Sequence, residues 1–110
     1  MDDLQAGDTL AASVQKTPNR VTLEGMIAKI EHEEFFNSAL VPHLTICVIL
    51  LQNGFSLVGK SAPADPGNFD AEVGRKFARE DAIRQMWALE DYALRERLSL
   101  AETHKGGASA

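Results

Sequence analysis

The hydrophobic and polar positions along the chain change their rhythm several times, and each change marks an element. Residues 1–16 are polar and rich in small side chains, and read as a loose arm with room for a little helix. Thr17-Pro18-Asn19-Arg20 then breaks the chain. Thr22 comes next as an N-cap, with Leu23, Met26, Ile27 and Ile30 at helical spacing, which predicts one short helix carrying Gly25 inside it. From Ile30 to Phe36 the charged run Glu31-His32-Glu33-Glu34 leads into two phenylalanines, a pattern suited to an edge strand with a charged rim. After a loop over 37–43, Leu44 to Leu51 is almost wholly apolar and β-branched. It is too short for a helix and reads as a central strand buried on both faces.

Asn53-Gly54 comes directly after that strand. The dipeptide suits the positive φ angles of a type I′ turn, so Phe55, Ser56, Leu57 and Lys60 form the return strand of a hairpin. Pro63, Asp65, Pro66 and Gly67 stop the sheet, and Asn68 or Asp70 caps the next helix. Val73, Phe77, Ile83, Met86, Trp87, Leu94 and Leu98 make a broad apolar stripe with helical period and few breakers between Phe69 and Leu100. A straight helix of that length would span roughly 48 Å. It would overhang so small a sheet, and so either kinks or packs on a second copy of the chain. The expected fold class is α+β: a short N-terminal helix, a small antiparallel three-stranded sheet with its hairpin at Asn53-Gly54, and a long C-terminal helix. The expected organisation is a flexible arm over 1–17, one domain over 18–100 and a disordered tail over 101–110.

Composition narrows the function. The 110 residues carry a formal net charge of −5, which argues against a general nucleic-acid binder but leaves room for a local basic pocket. Cys47 is the single cysteine, so no internal disulfide forms, and a reducing compartment fits best. The acidic start Met1-Asp2-Asp3-Leu4 is no signal peptide, and the longest apolar run is far short of a membrane span. His32, His43 and His104 lie in unrelated segments without triad or metal spacing, and no phosphate-binding glycine loop is present. Glu31, Glu33 and Glu34 read as a solvated edge rather than a metal site. No catalytic residues, metal ligands or cofactor are therefore expected. The remaining chemistry lies on the long helix, where Arg75, Lys76, Arg79 and Arg84 fall within three turns and Arg95 and Arg97 near its end. Acidic neighbours make a salt-bridged exposed face the plain reading. The alternative is an anion pocket. Arginine presents a fork of donors matched to phosphate, the helix N-terminus adds partial positive charge, and Phe69 offers a stacking plane.

Several short motifs in order also carry a family resemblance. Leu44-Thr45-Ile46-Cys47-Val48, Leu51-Gln52-Asn53-Gly54-Phe55, Gly59-Lys60-Ser61, Asn68-Phe69-Asp70-Ala71-Glu72-Val73-Gly74-Arg75-Lys76, and Ala78-Arg79 onward through Trp87, Leu89-Glu90, Tyr92 and Leu94-Arg95 resemble small phage and prophage proteins. Arg20-Val21-Thr22 is similar to the opening motif of the same group, so the resemblance covers about residues 18–98. That group resembles, and is identified as including, the first type of Thoeris anti-defence protein. These are phage-encoded sponges that bind cyclic ADP-ribose isomers made by bacterial TIR-domain enzymes, and in some members CBASS cyclic di- and trinucleotides, without cleaving them. The resemblance implies a non-enzymatic binder of a cyclic nucleotide signalling molecule, acting in the cytoplasm of the infected host. It also implies a homodimer assembling into a hexamer, with no nucleic-acid polymer and no membrane as partner. Phe69, Arg75, Arg79 and Arg95, with Arg20, are the ligand contacts it points to. The alternative is a protein-interaction module that inhibits or regulates a host protein, motivated by the acidic balance and the apolar stripe.

Overall fold

The computed structural model describes residues 3–105, apart from the side chains of 104 and 105. In chain order it contains α1 (Asp3–Ser13), α2 (Leu23–Ala28), β1 (Ile30–Asn37), β2 (Thr45–Leu51), β3 (Ser56–Ser61), a short 3-10 turn (Pro66–Asn68), α3 (Ala71–Arg84) and α4 (Met86–Lys105). The three strands form an antiparallel meander in the order β1-β2-β3, so the α+β class holds.

β2 is the centre of the sheet, and its alternation decides the two faces. Thr45, Cys47, Ile49 and Leu51 point inward and are buried; Ile46, Val48 and Leu50 point the other way and are half-buried. Leu57 and Gly59 of β3 complete the inner face, beside Phe35 of β1. α3 lies across this face through Ala78, Ala82 and Ile83, and Met86 and Met26 close the core from its end. The approach is close at Gly59, where a Cβ would sit 2.1 Å from the Ala78 carbonyl oxygen and 2.5 Å from the Ala82 nitrogen. A glycine on the strand opposite two alanines on the helix is what lets the two backbones approach this closely.

The local signals act much as the sequence suggests. Thr22 caps α2 by accepting from the Gly25 N–H at 2.9 Å, and Asp70 caps α3 by accepting from the Val73 N–H at 2.9 Å. At the hairpin, the turn differs from the expected two-residue type I′ form. Leu51 and Phe55 close a three-residue loop, with Leu51 N–H donating to the Phe55 carbonyl at 2.8 Å and Gly54 N–H to the Leu51 carbonyl at 2.9 Å. Gly54 takes the positive φ of +90°, while Asn53 holds the turn through its side chain, which accepts from the Phe55 N–H. Glycine in the left-handed position of a three-residue loop is the next commonest hairpin solution. It frees Gln52 to tie the hairpin to the end of α2, donating from its backbone N–H to the Lys29 carbonyl and from its side chain to the Ala28 carbonyl.

Three expectations about the ends of elements need correcting. The segment 3–13 is a helix rather than a loose arm: its alanines favour helix, Asp3 sits in the first turn, and Leu4 is buried in the core. The expected helix from Phe69 to Leu100 starts at Ala71 and is interrupted once, at Gln85, where the backbone stays helical (φ −67°, ψ −20°). The slip lets the Gln85 side chain reach the Val58 carbonyl at 2.8 Å, so the helix is pinned to β3 where it leaves the sheet. The helix also runs past Leu100 to Lys105, since nothing before Gly106 breaks it. The rest of the expected tail, 106–110, lies outside the described residues. The overhang is real: the molecule measures 61 × 31 × 21 Å, with a radius of gyration of 17.8 Å against about 13 Å for a compact chain of this size.

Candidate functional site

The five residues singled out for ligand contact do not come together within one chain. Phe69 is half-buried at the start of α3, close to Gly74. Arg75 is exposed one turn before Arg79 and makes no ion pair among the described residues. Arg79 reaches β1 and donates from Nε to Glu33. This accounts for the carboxylate row on β1. Glu33 faces the helix and pairs with an arginine, Glu34 lies on the opposite face beside Val48, and Glu31 falls at the register shift between Ile30 and His32. Among the described residues no group of three or more His, Cys, Asp or Glu side chains could hold a metal ion. Arg95 is four turns beyond Arg79, exposed, and paired with Glu102 at 2.9 Å.

Arg20 is placed differently. It lies in the connection between α1 and α2, and its guanidinium is mostly buried. Nη1 donates to Asp8 Oδ1 at 2.8 Å, and Nε donates to Gln15 Oε1 at 2.7 Å. The same Asp8 oxygen accepts from the Leu23 N–H at 3.0 Å. The Arg20 bond, reinforced by that backbone donor, holds the Asp8 carboxyl below the usual carboxylate range.

Two adjoining clefts open on either side of Arg20 and Val21. The first, of about 380 Å³, is bounded by Leu4, Gly7 and Ala11 of α1 on one side and by Arg84, Trp87 and Asp91 on the other. Its floor is largely apolar, and Trp87 supplies the one aromatic wall. The second, of about 220 Å³, runs between the 18–22 connection, α2 and the middle of α4, and carries Lys29, Glu90, Leu94 and Arg97. Lys29 is engaged by Glu90. Arg97 makes no ion pair among the described residues, and Arg84 has only a long 4.0 Å approach to Asp81.

Helical spacing explains how the end of α3 and the first half of α4 serve both clefts. Arg84, Trp87 and Asp91 lie at i, i+3 and i+7, on one face; Glu90, Leu94 and Arg97 lie at i, i+4 and i+7, on the adjacent one. That spacing was visible in the sequence. What it lacked was the opposite wall, because α1 and the 18–22 connection carry no periodic signal. The resulting arrangement pairs an apolar, aromatic-walled space with a polar one, with cationic side chains at Arg84, Arg20 and Arg97. It offers planar stacking and anion binding.

Comparison with known proteins gives the lineage. No match to the chain was found among curated proteins or among solved structures. A family profile does match, over residues 21–98, which is more than half of the chain. The chain belongs to the phage protein (N4 Gp49/phage Sf6 gene 66) family. The match starts one residue after Arg20, so it takes in both faces of α4 but not α1.

Proposed function

We propose, starting from membership of that phage family, that the protein is an anti-defence sponge. It binds a cyclic nucleotide immune signal, in the class of cyclic ADP-ribose isomers or CBASS cyclic oligonucleotides, and holds it uncleaved in the cytoplasm of the infected host. The observation that carries this reading is the pair of clefts sharing Arg20. A base needs an apolar slot with an aromatic wall, which the Trp87 side offers; phosphates need available guanidinium donors, which Arg97 offers and Arg84 offers at the cost of a long 4.0 Å approach to Asp81. Sequestration needs affinity and no chemistry, in keeping with the character of the clefts.

The elongated shape supports self-association. Val58 is 54% exposed and Phe36 48% exposed on the outer sheet face beside Ile46, Val48 and Leu50. Tyr92 and Leu100 are exposed on the part of α4 that overhangs the sheet. A homodimer, and a hexamer built from dimers, would cover these residues. It would also let Phe69, Arg75, Arg79 and Arg95 reach a ligand held against a second subunit. The same outer face equally favours the second reading, a module that binds and inhibits a host protein.

Mixing the purified protein with cyclic ADP-ribose isomers and cyclic oligonucleotides, removing free ligand, and heating the complex separates these readings. Mass spectrometry of the released material is expected to show an intact cyclic nucleotide. Release of a linear product would make the protein an enzyme, and retention of no nucleotide would leave the interaction module as the better reading.

A further inference from the structure

We infer that α1 is a displaceable wall of the first cleft, and that Asp8 stands on Arg20 where the phosphate of a diphosphate ligand binds. This rests partly on the sponge reading, but its core is geometric. Arg20 is shared by both clefts, yet its Nη1 is spent on a carboxylate of the same chain, at 2.8 Å. A carboxylate oxygen at that distance presents a guanidinium with the same acceptor that a phosphate oxygen does. Leu23 N–H, at 3.0 Å from the same Asp8 oxygen, adds a backbone donor to the position, so an anion arriving there meets two preformed donors.

The helix that brings Asp8 is lightly held. Leu4 is the one residue of α1 in the core; Leu10 and Val14, in and just after the helix, are 69% and 66% exposed. Besides Leu4, the Asp8 bonds to Arg20 and Leu23 and the Gln15 bond to Arg20 tie this region to the start of α2. Every other core residue lies in α2, the sheet, α3 or the start of α4. α1 also lies outside the segment that matches the family profile, residues 21–98. An anion that takes Arg20 from Asp8 therefore removes a main tether of α1 and opens the wall formed by Leu4, Gly7 and Ala11. In this arrangement Asp8 sets a charge threshold. A singly charged ligand exchanges one carboxylate for one equivalent anion and gains little, whereas a diphosphate spans from Arg20 to Arg84, the second cation lining the same cleft.

The test uses the full chain and inorganic pyrophosphate as the probe, followed by calorimetry and by amide exchange across residues 3–13. Asp8→Asn keeps an oxygen for the Leu23 N–H and removes the competing charge; it is expected to bind pyrophosphate roughly tenfold more tightly than the unaltered protein. Leu4→Ala loosens the same wall without touching the charges and is expected to tighten binding in the same direction. Pyrophosphate is expected to speed exchange of the α1 amides in the unaltered protein. Pyrophosphate binding that is absent, or equal in all three proteins, would overturn the inference, as would α1 amides that do not respond. If these expectations hold while no cyclic nucleotide binds, the sponge reading falls and the displaceable wall stands. If a cyclic nucleotide binds equally well to Asp8→Asn and to the unaltered chain, the wall falls and the sponge reading stands.

Discussion

Cys47 shows how far a single residue can be read from its place in a pattern. It falls in the middle of an apolar, β-branched run, and a thiol there acts as a small apolar group. In the fold it is completely buried on the inner face of β2, opposite Gly59 and Phe35. Burial, and behind it the charge of Glu33, push its pKa from the ordinary 9.0 up to about 11. The folded state keeps the proton more tightly than the unfolded chain, so this stabilisation is complete below pH 9 and is lost as pH rises toward 11. Native protein at pH 8 is expected to resist iodoacetamide, and urea unfolding is expected to show a loss of stability between pH 9 and 11. That loss should be smaller in Cys47→Ala. Rapid alkylation of the native protein, or an identical alkaline loss in the variant, would contradict the assignment.

At the scale of elements, legibility followed periodicity. α2, β2, the hairpin and the α3–α4 stretch were readable because each has a cap, a turn residue or an apolar stripe that acts within its own length. α1 was not, because its helix depends on alanine content and on contacts made by only Leu4 and Asp8, neither of which forms a repeating pattern. The slip at Gln85 was also hidden, since it serves a hydrogen bond to Val58 that exists only once β3 lies beside the helix. The packing of α3 on the sheet makes a sharper demand. Gly59 is held against the Ala78 and Ala82 backbone, and a Cβ there has no flexible side chain to push aside. Gly59→Ala is therefore expected to destabilise the fold by about 2–3 kcal/mol, the cost of overpacking a tight site. Urea denaturation checks this; a change under about 0.5 kcal/mol, the range of a neutral surface substitution, would show that the sheet and α3 are not in close contact.

At the scale of the whole molecule, the sequence suggested that a helix this long must either kink or pack on a second copy of the chain, and the structure bears on the first alternative alone. The helix is interrupted at Gln85 without turning back, and its second half runs beyond the sheet as the shared wall of two clefts. The site was only half legible. The arginines on the helix were visible and chemically apt, but i and i+4 spacing cannot say which face meets another part of the chain. Arg79 turned to Glu33 and Arg95 to Glu102, while Arg84 and Arg97, which read only as part of a charged face, came to line the clefts. Arg20, the candidate arginine outside the long helix, lines both clefts together with Val21. Family membership places this architecture among phage proteins.

The central claim is that this edge of the molecule binds a cyclic nucleotide signal through Arg97, and isothermal calorimetry of the unaltered protein beside Arg97→Ala tests it most directly. Arg97 is exposed and makes no ion pair among the described residues, so the substitution should leave the fold intact. The account predicts a Kd below about 10 μM, roughly −7 kcal/mol, for at least one cyclic ADP-ribose isomer or cyclic oligonucleotide, and about a tenfold weakening in Arg97→Ala. Absence of binding at that level, or equal affinity in the two proteins, would contradict it.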